Sequence, residues 1–259
     1  MITNQSLDLS VVVPSYNEKD SIKRGSLAKI ADYLGKRTEA WEVLVVDDGS
    51  TDGSLEMVER FAKEHPGFRL IKNPHQGKAA TVLTGMREAQ GNIVLFTDMD
   101  QATPITELDK FYPYFSQGYP VVIGSRSLAR HGAPLIRQVM AWGFIVIRSL
   151  ILGLRLTDTQ CGFKAFTKEA AHTLSNILMS RWSGQIKQAA VNAGFDVELL
   201  FLSKKLRFTI AEVPVTWFFV GTKRIHPIQD SLQAIGEIVR IRWEDMKGEY
   251  DQIVRQVQK

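Results

Sequence analysis

Five short runs of apolar, largely β-branched residues, at 9–13, 43–46, 69–71, 93–96 and 121–123, recur along the first half of the chain. About 20–30 residues separate one from the next, which is long enough for a crossover helix. Each run is continuously apolar rather than alternating, as in strands buried on both faces of a parallel sheet. Spacers such as 54–64, 78–90 and 106–117 read as the crossover helices. The order predicts an α/β fold with a mostly parallel, doubly wound central sheet flanked by helices. The second half is less regular. Residues 134–156 read as a very apolar helix, 158–166 as a turn and short strand, 196–205 as a helix, 209–215 as a strand, and 230–245 as an amphipathic helix.

Ligands of such sheets sit beyond the carboxyl ends of the strands, so the residues that follow each run matter most. They are Pro14-Ser15-Tyr16-Asn17-Glu18, Asp47-Asp48-Gly49-Ser50-Thr51-Asp52-Gly53, Thr97-Asp98-Met99-Asp100 and Gly124-Ser125-Arg126. Four polar or charged endings at one edge mark a site. Asp98 and Asp100 would point to one side of an extended strand, where two carboxylates repel unless a cation joins them. Mg²⁺ or Mn²⁺ suits one or two carboxylates together with substrate phosphates. The alternative is an acidic helix cap, since Thr103-Pro104 reads as a helix start. Asp52 and Ser50 suffice to cap a helix beginning near Ser54, which leaves Asp48 free to accept hydrogen bonds from a ribose or base. Lys78 opens a helix and can reach a phosphate that the helix N-terminus also favours; a solvated surface lysine is the other reading. Asp158 reads either as part of a sugar pocket or as a turn residue before Thr159. The Gly-rich dinucleotide and P-loop signatures are both absent. Response regulators place their Asp pair after the first strand, not the second.

Taken together, 11–18 (Val-Val-Val-Pro-Ser-Tyr-Asn-Glu), 45–53 (Val-Val-Asp-Asp-Gly-Ser-Thr-Asp-Gly), Gly77-Lys78, 96–100 (Phe-Thr-Asp-Met-Asp) and 124–126 (Gly-Ser-Arg) resemble the family-two glycosyltransferases of the GT-A fold. Within that family, 102–104 (Ala-Thr-Pro), 158–164 (Asp-Thr-Gln-Cys-Gly-Phe-Lys) and 195–199 (Phe-Asp-Val-Glu-Leu) are similar to the dolichyl-phosphate β-glucosyltransferases. The resemblance implies a nucleoside held by Pro14, Tyr16, Glu18, Val46 and Asp48. It implies a diphosphate held through Mg²⁺ or Mn²⁺ on Asp98 and Asp100, with Lys78 and Met99 also lining the donor site. Lys223 falls where related mannosyl enzymes place a donor-binding lysine, although the loop 221–227 departs from the usual pattern, as do Met99 and Gln101. Gln101 is a further candidate metal ligand. Arg126, Arg137 and Lys164 are the expected acceptor-phosphate contacts, with Asp98, Asp100, Arg126 and Asp158 forming the catalytic set.

The implied reaction moves a hexose, glucose from UDP-glucose, to a polyprenyl monophosphate with inversion at C1. The phosphate nucleophile is already ionised near neutrality, so positioning and leaving-group stabilisation dominate. GDP-mannose as donor, or a saccharide as acceptor, are the alternatives within the class. A sugar-nucleotide pyrophosphorylase would carry a Gly-rich, Arg-containing loop where 14–18 stands. The remaining rival, a non-catalytic nucleotide- or lipid-binding module, sits poorly with acids kept at every strand end.

The expected domain plan is a catalytic unit at 1–225, with a donor half to about 126 and an acceptor half at 127–225, followed by a C-terminal amphipathic helix and tail at 226–259. Cys161 is the only cysteine, and the N-terminus shows no secretory pattern. A reducing, cytoplasmic setting on the cytoplasmic face of a membrane is therefore expected. From Tyr119 to Thr157 there is no acidic residue but five arginines, on a chain whose net charge is +4, which suggests a local anionic partner. Nucleic acid is not expected, because this segment is aliphatic rather than Lys-rich. No run of about 20 apolar residues occurs, so no spanning helix is expected. On one helix Arg137, Arg148 and Arg155 would lie within roughly 20° of one line, with the other faces apolar, as in a helix lying in a membrane interface or a core helix with arginines at its exposed edge.

Overall fold

A computed structural model describes residues 7–126, 135–182, 194–219 and 227–257, with side chains described at all of these except 135–142 and 227–232. Seven strands form one sheet: β1 (Leu9–Ser15), β2 (Trp41–Asp47), β3 (Phe68–Lys72), β4 (Ile93–Thr97), β5 (Val121–Arg126), β6 (Phe163–Thr167) and β7 (Ile210–Val215). Their order is β3-β2-β1-β4-β6-β5-β7. All five strands expected in the first half form, and the α/β layering with helices on both sheet faces follows the expectation. The pairs β1–β2, β1–β4, β2–β3 and β5–β7 are parallel, whereas β6 runs antiparallel between β4 and β5.

Four of the apolar runs have the expected physical reason, while the fifth, in β3, lies at the sheet edge with Arg69 exposed and Leu70 and Ile71 half-buried. Successive side chains alternate between two buried layers. Val12, Leu44, Val46, Val94 and Phe96 face one core, which holds residues of α4 (Lys78–Glu88), α7 (Lys168–Trp182), α8 (Phe195–Lys205) and α9 (Pro227–Met246). Val11, Val13, Val43, Val45 and Leu95 face the other, under α1 (Lys19–Lys23), α2 (Ser26–Leu34) and α3 (Ser54–Glu64). Helix α4 lies very close to the sheet. A Cβ on Gly85 would fall 2.2 Å from Val12 Cγ1, so only glycine fits there without repacking.

Three local expectations change. Residues 106–117 do not make one helix; they form a 3-10 turn (Ile105–Lys110) and a short helix α5 (Tyr112–Ser116), with Pro113 setting the start of the second. The apolar helix of 134–156 is α6 (Leu135–Leu152), which stops before Gly153 at φ +64. Arg155 therefore lies outside the helix. Arg148 does not face outward: it is 1% exposed, donates from Nη1 to Thr159 Oγ1 (2.8 Å), and donates from Nη2 to the Leu156 carbonyl. Burial lowers its pKa. The exposed face of α6 instead carries Val146 and Leu150. The side chain of Arg137, the third arginine of the expected stripe, lies outside the described residues. No described helix is long and apolar enough to cross a membrane.

The C-terminal helices α9 and α10 (Glu249–Val257) join the core through Ile238, Ile241 and Tyr250. They are also tied by charge. Glu198 on α8 is fully buried; its Oε2 accepts from Arg240 Nη2 (2.7 Å), its Oε1 accepts from the Tyr250 hydroxyl (2.9 Å), and Arg181 Nε lies 3.5 Å away. Removing one partner of such a cluster strands the others' buried charge. Glu198→Ala is expected to cost about 3–5 kcal/mol of stability, read as a lowered denaturant midpoint.

Candidate active site

The sheet order sets the site. At its carboxyl edge β1 and β2 end side by side, with Ser15 opposite Asp47, and β4 ends beside the start of β6, with Thr97 opposite Phe163. Because β6 is antiparallel, the loop preceding it, residues 158–162, reaches the same edge. Arg126 lies opposite Val215 at the ends of β5 and β7. The endings singled out in the sequence thus share one edge.

The two adjacent acids after β2 do different work. Asp47 builds its own turn, accepting from the Gly49 and Ser50 amides and the Ser50 hydroxyl. Asp52 accepts from the Ser54 amide and hydroxyl and from the Lys19 amide. Ser50 does not cap α3; its hydroxyl donates to Asp47 and accepts from the Asn17 amide. Asp48 is buried and holds the loop ahead of α4. It accepts from the Gln76 amide (2.9 Å) and the Gly77 amide (2.8 Å), and His75 Nδ1 lies 2.9 Å away. The His75 ring stacks on Tyr16, centroids 4.4 Å apart at 18°. Sequence reasoning missed His75, since nothing in its local pattern separates it from any loop histidine. Pro14 lies in β1 beside Val46, and Val46 is fully buried.

Asp98 and Asp100 lie not on the expected extended strand but in a turn just past β4. The turn is closed by the Gln101 amide donating to the Asp98 carbonyl, with Gln101 at φ +53. Asp100 accepts from the Ala102 amide. The Gln101 side-chain amide donates to Thr97 Oγ1 and the Asp98 carbonyl and is buried, so it braces the turn. Met99 is buried beneath, its sulfur 3.4 Å from Ser26 Oγ.

Burial, and then the charge of Asp98, hold the Asp100 carboxyl above its usual range. Glu18 is raised as well, by burial first and by Asp100 and Asp98 in addition, while it accepts from Ser21 Oγ (2.6 Å). Three carboxylates therefore share one field. Lys78 answers it: its Nζ stands 2.6 Å from Asp98 Oδ1. Burial alone would lower the lysine's pKa, but Asp98 and Asp196 outweigh it and the pKa rises. A cation placed against an oxygen-only pair is what a divalent ion with two carboxylates and diphosphate oxygens would replace, so the donor set fits Mg²⁺ or Mn²⁺. Among the described residues no group of three or more His, Cys, Asp or Glu side chains could hold an ion alone.

The other half of the edge is organised by the 158–164 segment. Arg126 grips Asp158 as a fork, Nε to Oδ2 at 2.6 Å and Nη2 to Oδ1 at 2.9 Å. Burial would raise the Asp158 pKa, but Arg126 outweighs it and lowers it. Glu212 on β7 accepts from the Thr157 and Asp158 amides, and Arg148 holds Leu156 and Thr159 from the other side. Gly162 lets this segment close on the acidic turn. Its carbonyl accepts from the Asp98 amide, and a Cβ there would fall 1.9 Å from Asp98 Oδ2. Lys164, expected at the acceptor phosphate, is instead fully buried and donates to the Cys161 carbonyl and to Asp196 Oδ1, both at 2.5 Å. Two of its three donors are taken there, so its geometry is that of a group positioning Asp196. Lys223 and its loop lie outside the described residues.

This geometry can be set beside known proteins. The profile of glycosyl transferase family 2 matches residues 10–175. The chain belongs to that family. It is similar to the dolichyl-phosphate beta-glucosyltransferase of Dictyostelium discoideum, 30% identical over 260 residues that span 93% of this chain and 75% of the relative. Among solved structures it resembles a mannosyltransferase from Pyrobaculum calidifontis in complex with GDP-Man and Mn²⁺, with TM-score 0.58, 22% identity, and coverage of 90% of this chain and 64% of that one. It also resembles glucosyl-3-phosphoglycerate synthase from Mycobacterium tuberculosis in complex with Mn²⁺, UDP and glucosyl-3-phosphoglycerate, with TM-score 0.58, 19% identity, and coverage of 91% and 80%. The fold is of the GT-A type, and as a member of family 2 the chain is a glycosyltransferase.

The contact between Gly162 and Asp98 gives a direct test. Gly162→Ala is expected to displace the Asp98 carboxylate and weaken binding of a nucleoside diphosphate about 100-fold, measured by calorimetry with Mn²⁺ in the buffer. The melting temperature should change little by comparison.

Proposed function

We propose that the chain transfers glucose from UDP-glucose to a polyprenyl monophosphate at a membrane surface, with inversion at C1. The observation that carries the reading is the division of the carboxyl edge. An acidic turn at Asp98–Asp100, met by Lys78, lies on one side, and the Arg126–Asp158 fork lies on the other. The first suits a nucleotide diphosphate and the second an anionic acceptor. Relatives named dolichyl-phosphate beta-glucosyltransferase, at about 30% identity over most of the chain, supply the substrate class.

In this reading Asp48 and the Tyr16–His75 stack frame the nucleoside, with Pro14 and Val46 beneath. Asp98 and Asp100 would hold Mg²⁺ or Mn²⁺, which neutralises charge on the departing diphosphate. Lys78 is released from Asp98 as the diphosphate arrives and turns to its oxygens. Arg126 orients the acceptor phosphate while Asp158 holds the guanidinium at a fixed angle; the fork geometry limits its rotation. The acceptor oxygen attacks C1 from the face opposite the departing diphosphate, which is the geometry of inversion. The phosphate is ionised near neutrality, so no side chain has to remove a proton, and orientation is the main contribution of the chain. The arginine-stripe helix takes no part in this reading, because Arg148 is inside.

Sugar transfer should stop in excess EDTA and return with Mg²⁺ or Mn²⁺, and Asp100→Asn should lose at least about 100-fold in turnover while melting like the wild type. Full activity in EDTA would remove the metal from the reading. UDP with Mg²⁺ should raise the melting temperature more than GDP does. A larger shift with GDP, together with transfer from GDP-mannose, would replace the glucosyl reading by the mannosyl one.

A further inference from the structure

Beyond β7 the chain shows three consecutive aromatic residues to solvent. Trp217, Phe218 and Phe219 are 38%, 57% and 67% exposed. Their backbone is fixed: the Thr216 amide donates to Glu107 Oε2 (3.0 Å), and the Phe218 amide donates to the Ala102 carbonyl (2.8 Å), two residues past Asp100. The run also begins beside the fork. Arg126 and Val215 are paired at the strand ends, and the Arg126 guanidinium carbon lies 5.8 Å from the centre of the Trp217 ring. Phe219 packs edge-on against Trp217, centroids 6.1 Å apart. Exposed aromatics grouped on a held backbone at the rim of a site mark a surface that a ligand covers.

We propose that Trp217, Phe218 and Phe219 form the subsite for the hydrocarbon chain of the acceptor, taking the isoprenoid units next to its phosphate. The inference rests on the acceptor reading given above and extends it. Position excludes the nucleobase. From β2, where Asp48 follows, to β7, which Trp217 follows, is five strand spacings in the sheet order, about 24 Å. Phe218, held at Ala102, still lies past β4 and not at the β2 end where the base of the proposed donor sits. Inversion puts the acceptor on the side of C1 away from the diphosphate, and the β5–β7 end of the edge is that side. The chemistry then fits in order. A guanidinium comes first and an apolar surface follows, matching a phosphate with a hydrocarbon tail. A saccharide acceptor would need hydrogen-bonding side chains, and the three rings offer only the Trp217 indole N–H.

The test compares acceptors. Purified full-length wild type and a Phe218→Ala/Phe219→Ala variant are assayed for glucose transfer to prenyl monophosphates of increasing length, from geranyl phosphate upward. In the wild type, KM for the acceptor should fall as the chain lengthens. The variant should lose that dependence, with KM for long acceptors raised about 10-fold, while KM for the donor and the Mn²⁺-dependent affinity for UDP stay as in the wild type. Phe219→Leu, which keeps the apolar surface without the ring, should preserve the length dependence. The subsite is overturned if the double variant keeps the wild-type length dependence. It is overturned equally if the donor KM rises alike for all acceptors, the outcome expected of an aromatic platform under the sugar. Transfer to prenyl phosphates with a KM indifferent to length would sink the subsite alone. A wild type that transfers to no prenyl phosphate would sink the acceptor reading, and the subsite with it.

Discussion

The insertion of one antiparallel strand between β4 and β5 is the constraint on which this architecture depends. Without β6 the two parallel blocks would meet directly, and the loop of residues 158–162 would have no reason to lie at the ligand edge. With it, Gly162 stands against Asp98, Asp158 against Arg126, and Lys164 against Asp196. Each contact joins a residue from the second half of the chain to one placed by another element. The sheet is thus both a scaffold and a register that brings distant stretches of sequence to the same edge.

Three acids at that edge are each met by a cation, while Glu18 and Asp100 add negative charge beside the first of them. Asp98 faces Lys78, Asp158 faces Arg126 and Asp196 faces Lys164, and each pair joins two different elements. Burying such groups singly would be costly, while burying them in pairs lowers that cost and fixes their geometry. Arg148 differs: among the described residues its hydrogen-bond acceptors are neutral oxygens, and its Nε has no hydrogen-bond partner. It directs its donors to backbone and hydroxyl groups of the loop that carries Asp158.

Much of this was legible in the sequence. Strands buried on both faces are written as unbroken apolar runs, and the charged residues that end them mark the ligand edge. What the pattern could not give is what depends on partners far along the chain. Asp47 and Asp48 look equivalent as neighbours, but one closes its own turn and the other holds the loop at 75–77. The 158–166 stretch reads as a turn and short strand, yet chain order does not say that the strand enters the sheet between β4 and β5. The arginine line on α6 follows from helical period, but period fixes an angle and not a direction. Only Thr159 and the Leu156 carbonyl, eight or more residues away, make the inside the favourable side for Arg148. His75 carries no local signal at all, and its role comes from Tyr16 and Asp48.

The Lys78–Asp98 contact has a consequence for the resting protein. Two neighbouring carboxylates left alone would push their turn apart between catalytic events, or take up protons that must later be lost. A tethered ammonium supplies a counter-charge that cannot diffuse away. On the proposed reading, what arrives would exchange with a charge already there rather than assemble a site from a repelling cluster. In the proposed reaction a lysine that begins a helix, on a side chain long enough to let go, would act as the placeholder of the cycle, keeping the seat until the donor takes it.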